Sequence, residues 1–270
     1  MGVLSSEQIS FFAENGYLII RDLFTADEKA NIIEWTNEVK SWPEDSDLGY
    51  LPYQEVDGKG RRILCRTENF ANYHKGFNEL LRGERLRNLI GELSGDKMYL
   101  FKEKINYKQA FAGGFDAHFD APAYNHIKAQ KHLTALIGVE DATPENGCLE
   151  VVPGSHVGTI PLNPNLTITE EWAKSKEWVS VPLQTGELLI FGSYLAHRSG
   201  PNNSPNGRAS IYATYNTEAD GGDIHDAYYA HRTVLWPATA KRKPGENYEE
   251  GAALYAWGTP METVQQSVKV

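Results

Sequence analysis

Polar and apolar positions along the chain mark out its elements. Ser5-Ser6-Glu7-Gln8 carries a capping-box signature and Gly16 supplies a stop, which predicts a helix over residues 6–15. Tyr17-Leu18-Ile19-Ile20-Arg21 reads as a strand. Thr25-Ala26-Asp27-Glu28 is a second capping box, followed by Ile32, Ile33, Trp35 and Val39 at near-helical spacing and closed by Pro43. Residues 44–62 are polar and irregular, with Tyr50, Tyr53 and Gly58, and predict a long loop, either a flap over a site or a plain surface loop. Alternation returns over 63–70, with Leu64, Arg66 and Glu68 on one face. Residues 78–93 read as a helix interrupted by glycine. The next alternating run, 98–107, puts Lys102, Lys104 and Asn106 on a common face, either towards solvent or towards a polar interior.

From Lys131 onward the runs 132–139, 149–152, 179–182, 187–191 and 208–215 are short and strand-like, with Gly, Pro and Asn turns between them, and strand character extends over 187–199 and 208–216 on either side of the loop at 200–207. Residues 217–270 have no clear period. Many short strands after a helical start predict a mainly β protein with flanking helices, built on a double-stranded β-helix of the jelly-roll, cupin-like type. One domain is expected over 1–270, with a helical part to about 95, a barrel core over about 96–217 and an extension from 218.

The formal net charge of −10, with one basic cluster at Lys241-Arg242-Lys243, argues against nucleic acid or an anionic membrane as partner. Two cysteines, Cys65 and Cys148, cannot make a disulfide framework and suit a reducing compartment. Met1–Ser5 lacks a basic leader, and no apolar run approaches the roughly 20 residues of a membrane span. These features predict a cytoplasmic monomer or homodimer acting on a small molecule.

The candidate chemistry begins at Gly113-Gly114-Phe115-Asp116-Ala117-His118-Phe119-Asp120. On a strand, residues i and i+2 share a face, so His118 and Asp120 can reach one ion together. His197 offers a third ligand, and two imidazoles with one carboxylate make the facial triad of non-haem Fe(II) oxygenases. Eleven residues after His197 stands Arg208, across the loop Gly200-Pro201-Asn202-Asn203-Ser204-Pro205-Asn206-Gly207. A hairpin there is expected to set Ser199 and Arg208 side by side, one a hydroxyl and the other a planar fork suited to the far carboxylate of a keto-diacid.

With this spacing the chain resembles the Fe(II)/2-oxoglutarate dioxygenases of the phytanoyl-CoA dioxygenase superfamily. Asn146-Gly147-Cys148-Leu149-Glu150-Val151-Val152-Pro153-Gly154-Ser155-His156 is similar to that superfamily's NGCL…PGSH block, and Lys102–Lys108 resembles the strand before the metal motif in ectoine hydroxylases and 2-aminoethylphosphonate dioxygenases. The resemblance covers roughly residues 5 to 250. It implies Fe(II) on His118, Asp120 and His197, with 2-oxoglutarate held by Arg208, Ser199, Lys104 and Asn106 and walled by Thr134 and Leu136. It also implies O2 as oxidant and hydroxylation of an unactivated C–H with release of succinate and CO2.

For the substrate, Arg66 and Tyr73 are candidates by likeness of residues 66–73 to aminophosphonate dioxygenases, and Tyr124 and His126 by position just past the metal motif. Arg198 and Lys102 add cations for an anionic guest. Two substrate classes stay open: a small zwitterion or phosphonate, and an aromatic or alkaloid natural-product intermediate suited to the many tyrosines. A non-catalytic metal-binding barrel is the rival from another class. His74, His156, His225 and His231 read as surface or structural residues.

Overall fold

The computed structural model describes residues 2–56, 60–127 and 131–255. Both capping boxes form as expected. Ser5 and Gln8 close the start of α1 (Ser6–Asn15), Thr25 and Glu28 that of α2 (Ala26–Lys40), and Gly16 takes the left-handed conformation that ends α1. Between them lies β1 (Tyr17–Ile20). The chain continues through β2 (Leu51–Val56), β3 (Arg62–Glu68), α3 (Lys75–Arg82), α4 (Glu84–Ser94), β4 (Met98–Lys108), β5 (Phe115–His118), β6 (Leu133–Gly138) and β7 (Leu149–Val151). Then come α5 (Glu170–Lys174), β8 (Val179–Val181), β9 (Leu188–Gly192), β10 (His197–Ser199), β11 (Arg208–Thr217), α6 (His225–Leu235) and α7 (Glu249–Tyr255). Among the described residues no helix is long and apolar enough to cross a membrane.

The strands form two antiparallel sheets, β1-β9-β6-β11-β4-β3-β2 and β5-β10-β7-β8, the double-stranded β-helix the sequence predicts. The large sheet shows why its strands alternate. Ala209, Ile211, Ala213 and Tyr215 of β11, with Leu133, Ala135 and Ile137 of β6, join the core formed with Phe77, Leu81, Leu86, Leu89 and Ile90 of α3 and α4. Each fully buried Leu, Ile or Phe among them contributes roughly 1.5–3 kcal/mol. Tyr215 also donates its hydroxyl to the Leu81 carbonyl at 2.7 Å, so this large buried ring leaves no orphan polar atom. The opposite face looks towards the small sheet. At one end that space is an apolar core of Leu136, Leu149, Val151, Val181, Leu189 and Phe191. At the other end it is a polar cavity.

Three expectations are corrected here. Residues 44–62 are not one irregular loop: β2 occupies 51–56 and pairs with β3 at the sheet edge. Tyr50 and Tyr53 are 4% and 3% exposed, their hydroxyls donating to the Pro43 and Trp236 carbonyls, so they are held in the fold and not offered to a flap. Residues 57–59 of that stretch lie outside the described residues. Second, the run 187–199 is two strands in different sheets, because the chain turns at 193–196. Third, β10 and β11 are not a hairpin. The segment 200–207 crosses from the small sheet to the large one, and β11 pairs with β4 and β6 instead. The aperiodic tail also holds two helices, α6 and α7, whose Tyr, His and Arg positions hide their buried face from a simple apolar pattern.

Candidate active site

His118 ends β5 and His197 begins β10, and the two are register partners, which brings their ring centroids to 4.2 Å. Asp120 lies just past β5, yet its Oδ1 is 3.9 Å from His118 Nε2 and 3.8 Å from His197 Nε2. Both imidazoles are oriented from behind: His118 Nδ1 lies 2.6 Å from the Asp116 carbonyl and His197 Nδ1 lies 3.0 Å from that of Leu195. Donation from Nδ1 to these carbonyls fixes the tautomer whose Nε2 lone pair faces the common point. Burial, then the neighbouring His197, pushes His118 down to about 4, so its ring is neutral and ready to ligate. Burial opposes the charge of Asp120, but His197, His118, Lys102 and Lys104 outweigh it and hold the carboxyl below its usual range. Two imidazoles and a carboxylate, with ligand atoms all within 4.8 Å of one another, fit one divalent ion.

The cavity beside this triad is floored by the inward face of the large sheet. Register places Lys102 opposite Thr214, Lys104 opposite Tyr212 and Asn106 opposite Ser210 and Arg66. Lys102, Lys104, Asn106, Arg66, Tyr124, Thr134, Phe191 and Ser199 all line it. Leu136 lies on the same face but is packed in the intersheet core, register partner of Tyr212. Two other candidates are placed elsewhere. Tyr73 is 39% exposed and packs edge-on against Tyr50 at 6.0 Å. His126 is exposed and stands edge-on to Tyr255 at 5.4 Å, bracing a lining ring from outside.

Arg208 stands two residues before Ser210 on β11 and is not among the residues that line the cavity. Its guanidinium donates to Ser210 Oγ at 2.9 Å, to the Asn146 carbonyl at 3.2 Å and to the Gly147 carbonyl. Ser199 is touched not by Arg208 but by Lys108, whose ammonium reaches Ser199 Oγ at 3.2 Å, the Gly147 carbonyl at 3.1 Å and the Gly200 carbonyl. Lys108 and Arg208 therefore share one acceptor and form a double cation beside Ser199. Burial, then Arg208, pushes Lys108 down to about 7. Two glycines permit this convergence. A Cβ on Gly114 would stand 2.1 Å from the Ser199 carbonyl oxygen, and Gly147 has φ +72° with Gly200 O only 2.3 Å from where its Cβ would be.

Sequence reasoning left several lining residues unassigned: Glu68, Tyr212, Thr214, and the C-terminal Tyr228, Arg232, Leu254 and Tyr255. Glu68 could have been found from its parity with Arg66, and Lys108 from its parity with Lys102, Lys104 and Asn106. The C-terminal four had no such signal. Glu68 Oε1 meets Arg66 Nε at 2.8 Å and Arg232 Nη2 at 2.9 Å. By contrast, neither Lys102 nor Lys104 has a hydrogen-bond or ion-pair partner among the described residues. Lys102 lies 4.5 Å over the Tyr124 ring and Lys104 lies 5.0 Å over that of Tyr212. Burial, then the mutual repulsion with Lys104, pushes Lys102 down to about 7, and burial, then Arg66, pushes Lys104 down to about 8. Arg198, offered by the sequence as a further cation, is met by Glu150 at 2.7 Å and stacks on Trp178.

Comparison with known proteins gives a consistent picture. The family described as phytanoyl-CoA dioxygenase (PhyH) matches residues 12–210. A 2-aminoethylphosphonate dioxygenase from an uncultured bacterium (HF130_AEPn_1) is 32% identical over 97% of this chain and 100% of its own length. A methylphosphonate hydroxylase from Gimesia maris is 38% identical over 85% of this chain and 86% of its own. Among solved structures, EctD from S. alaskensis with 2-oxoglutarate and 5-hydroxyectoine superposes with a TM-score of 0.71 at 22% identity, over 96% of this chain and 86% of that one, and bears out the fold.

Proposed function

The chain belongs to the phytanoyl-CoA dioxygenase family and works as an iron- and 2-oxoglutarate-dependent oxygenase of small molecules, and we propose that the molecule it oxidises is a small oxyanion of the phosphonate type, held by Lys102 and Lys104. The observation that carries this reading is the pair of unpartnered ammonium groups facing the cavity. Apart from Arg198, the described lining holds Arg66, Lys102, Lys104 and Arg232 against the carboxylates of Glu68 and Asp120. A metal dication and a 2-oxoglutarate dianion cancel each other, so the positive excess is left for the substrate. Buried charges without partners are costly, and an oxyanion is the guest that relieves them.

His118, Asp120 and His197 would hold the iron. Iron bound there, with 2-oxoglutarate and O2, supplies the oxidation that turns a substrate C–H into C–OH with release of succinate and CO2. The residues of the chain bind and orient. The far carboxylate of 2-oxoglutarate is assigned to Ser199, which lines the cavity, with Lys108 and Arg208 behind it on the Gly147 carbonyl, and Thr134 and Asn106 of the lining are given to the same cosubstrate. Tyr124, Tyr228 and Tyr255 give the opposite wall an aromatic surface that excludes water. Losing one partner of a buried, charge-assisted contact costs roughly 2–5 kcal/mol, so Arg208→Ala and Lys108→Met should each raise the KM for 2-oxoglutarate about 30-fold or more. A KM unchanged in both would remove this end from cosubstrate binding.

The substrate assignment is tested by following succinate release from the iron-loaded protein with methylphosphonate, 2-aminoethylphosphonate, ectoine or no addition. The phosphonates should stimulate release by about tenfold or more over the blank, the coupling expected when substrate completes the site. No stimulation by any phosphonate would overturn the oxyanion reading. The tyrosine-rich wall favours a second reading, a neutral aromatic guest, in keeping with the 34% identity to the dioxygenase lolE1 of Epichloe uncinata. That guest leaves both lysines unpaired, which ranks it second.

A further inference from the structure

The match to the family ends at residue 210, yet six residues of the cavity wall lie beyond it: Tyr212 and Thr214 on β11, Tyr228 and Arg232 on α6, and Leu254 and Tyr255 on α7, the last four on helices wholly outside the match. The first turn of α6 is fastened to β4. His225 Nε2 lies 2.7 Å from Glu103 Oε2, and the Tyr229 hydroxyl donates to the Glu103 carbonyl at 2.8 Å while accepting from the Glu103 amide at 3.1 Å. The two helices cross closely at Gly251, where a Cβ would meet the Leu235 carbonyl oxygen at 1.9 Å. What fixes the rest is one side chain. Arg232, 2% exposed, reaches Glu68 of β3 at 2.9 Å, the Tyr53 hydroxyl of β2 at 3.2 Å, the Tyr228 hydroxyl at 3.2 Å and the Tyr255 carbonyl of α7 at 3.4 Å.

We propose that α6 and α7 form an arm that serves as the specificity wall of the cavity, and that Arg232 is the positioning residue that pins this wall to the sheet edge. Arg232 joins four elements through one rigid planar fork, so the place of the Tyr228, Leu254 and Tyr255 side chains depends on it. It is not the sole partner of Glu68, whose carboxylate also meets Arg66 at 2.8 Å, so removing Arg232 leaves that charge one cation. Selection among substrates then resides in a segment outside the matched family region, which lets one barrel serve different guests. The size part of this inference, read with phosphonates, rests on the oxyanion reading above; the arm itself does not.

The test uses the iron-loaded full chain. With methylphosphonate, Arg232→Gln should raise the substrate KM about tenfold or more and lower the hydroxylated product formed per succinate to about half or less, while the KM for 2-oxoglutarate stays within about twofold. Arg232→Lys should restore part of the coupling. A purely structural role would instead move both KM values together. Leu254 is only half-buried, so its variants give an independent reading should Arg232→Gln not fold. Leu254→Ala should shift the ratio of kcat/KM for benzylphosphonate over methylphosphonate upwards by about tenfold and Leu254→Trp downwards by as much, the scale of a changed apolar pocket. Parent-like coupling in a folded Arg232→Gln protein, or an unchanged ratio in both Leu254 variants, would overturn the proposal. If the parent ignores phosphonates, the oxyanion reading fails, and the arm is then judged on substrate-free succinate release. That rate should change about threefold or more in Arg232→Gln and Leu254→Trp as water gains access; a constant rate in both sinks the arm as well.

Discussion

An Asp120→Ala protein should release succinate from 2-oxoglutarate more slowly than the parent by well over about 100-fold, since that much is already lost when a mere support of a metal ligand is removed. Asp120 is the one anionic group among the three ligands, and without it two imidazoles with ring centroids 4.2 Å apart must hold a dication in a cavity lined by Arg66, Lys102, Lys104, Arg198 and Arg232. The loss should be chemical and not structural. The Asp120 side chain has no hydrogen bond among the described residues beyond its approach to the two histidines, whereas its backbone carbonyl keeps the turn by accepting from the Ala123 amide at 3.0 Å. Circular dichroism and the thermal melting of the metal-free proteins should therefore match, while metal analysis after iron loading and dialysis shows iron retained by the parent and lost by the variant. Parent-like iron content and turnover in Asp120→Ala would take Asp120 out of the ligand set.

The second large effect falls on the substrate. Replacing both Lys102 and Lys104 by methionine keeps the length of the side chains and their contacts with Tyr124 and Tyr212 but removes the two free charges. At roughly 2–5 kcal/mol for a buried charge contact, the KM for a phosphonate should rise from about 30-fold to several thousandfold. The KM for 2-oxoglutarate should move far less, because its far end is assigned to Lys108, Arg208 and Ser199. Deprotonation should mimic the substitution. With Lys102 pushed down to about 7 and Lys104 to about 8, raising the pH from 7 towards 9 removes the charged forms that bind an anion, so the phosphonate KM should climb over that window. In the double variant the climb should disappear. A double variant with an unchanged phosphonate KM would contradict the role of the two lysines.

The legible part of the site was the part written in local periodicity. Lys102, Lys104 and Asn106 are two apart on one strand, and strand geometry alone puts them on one face. His118 and Asp120 have the same separation, although Asp120 proves to lie two residues past the end of the strand. Capping boxes at Ser5 and Thr25 were equally local. What escaped was set by tertiary register. Within 187–199 the stretch 188–196 is apolar but for Gly192-Ser193, so only that dipeptide marks the turn at 193–196 that hands the chain from one sheet to the other. Lys108 meets Ser199 only because the end of β4 comes against the end of β10, a contact between residues far apart in sequence. The arm was hidden for a chemical reason. Its buried positions are Tyr228, Tyr229, His225 and Arg232, which a hydrophobic pattern scores as polar even though hydrogen bonds and the Glu68 carboxylate satisfy them in the interior.

The most direct measurement of the central claim is calorimetric titration of methylphosphonate into the parent and into Lys102→Met/Lys104→Met, both loaded with iron and 2-oxoglutarate and kept free of O2 so that binding is seen without turnover. Saturable one-to-one binding to the parent, weakened about 30-fold or more in the double variant, is the result expected from two free ammonium groups in the cavity wall. Equal binding to both proteins, or none to the parent, would contradict it.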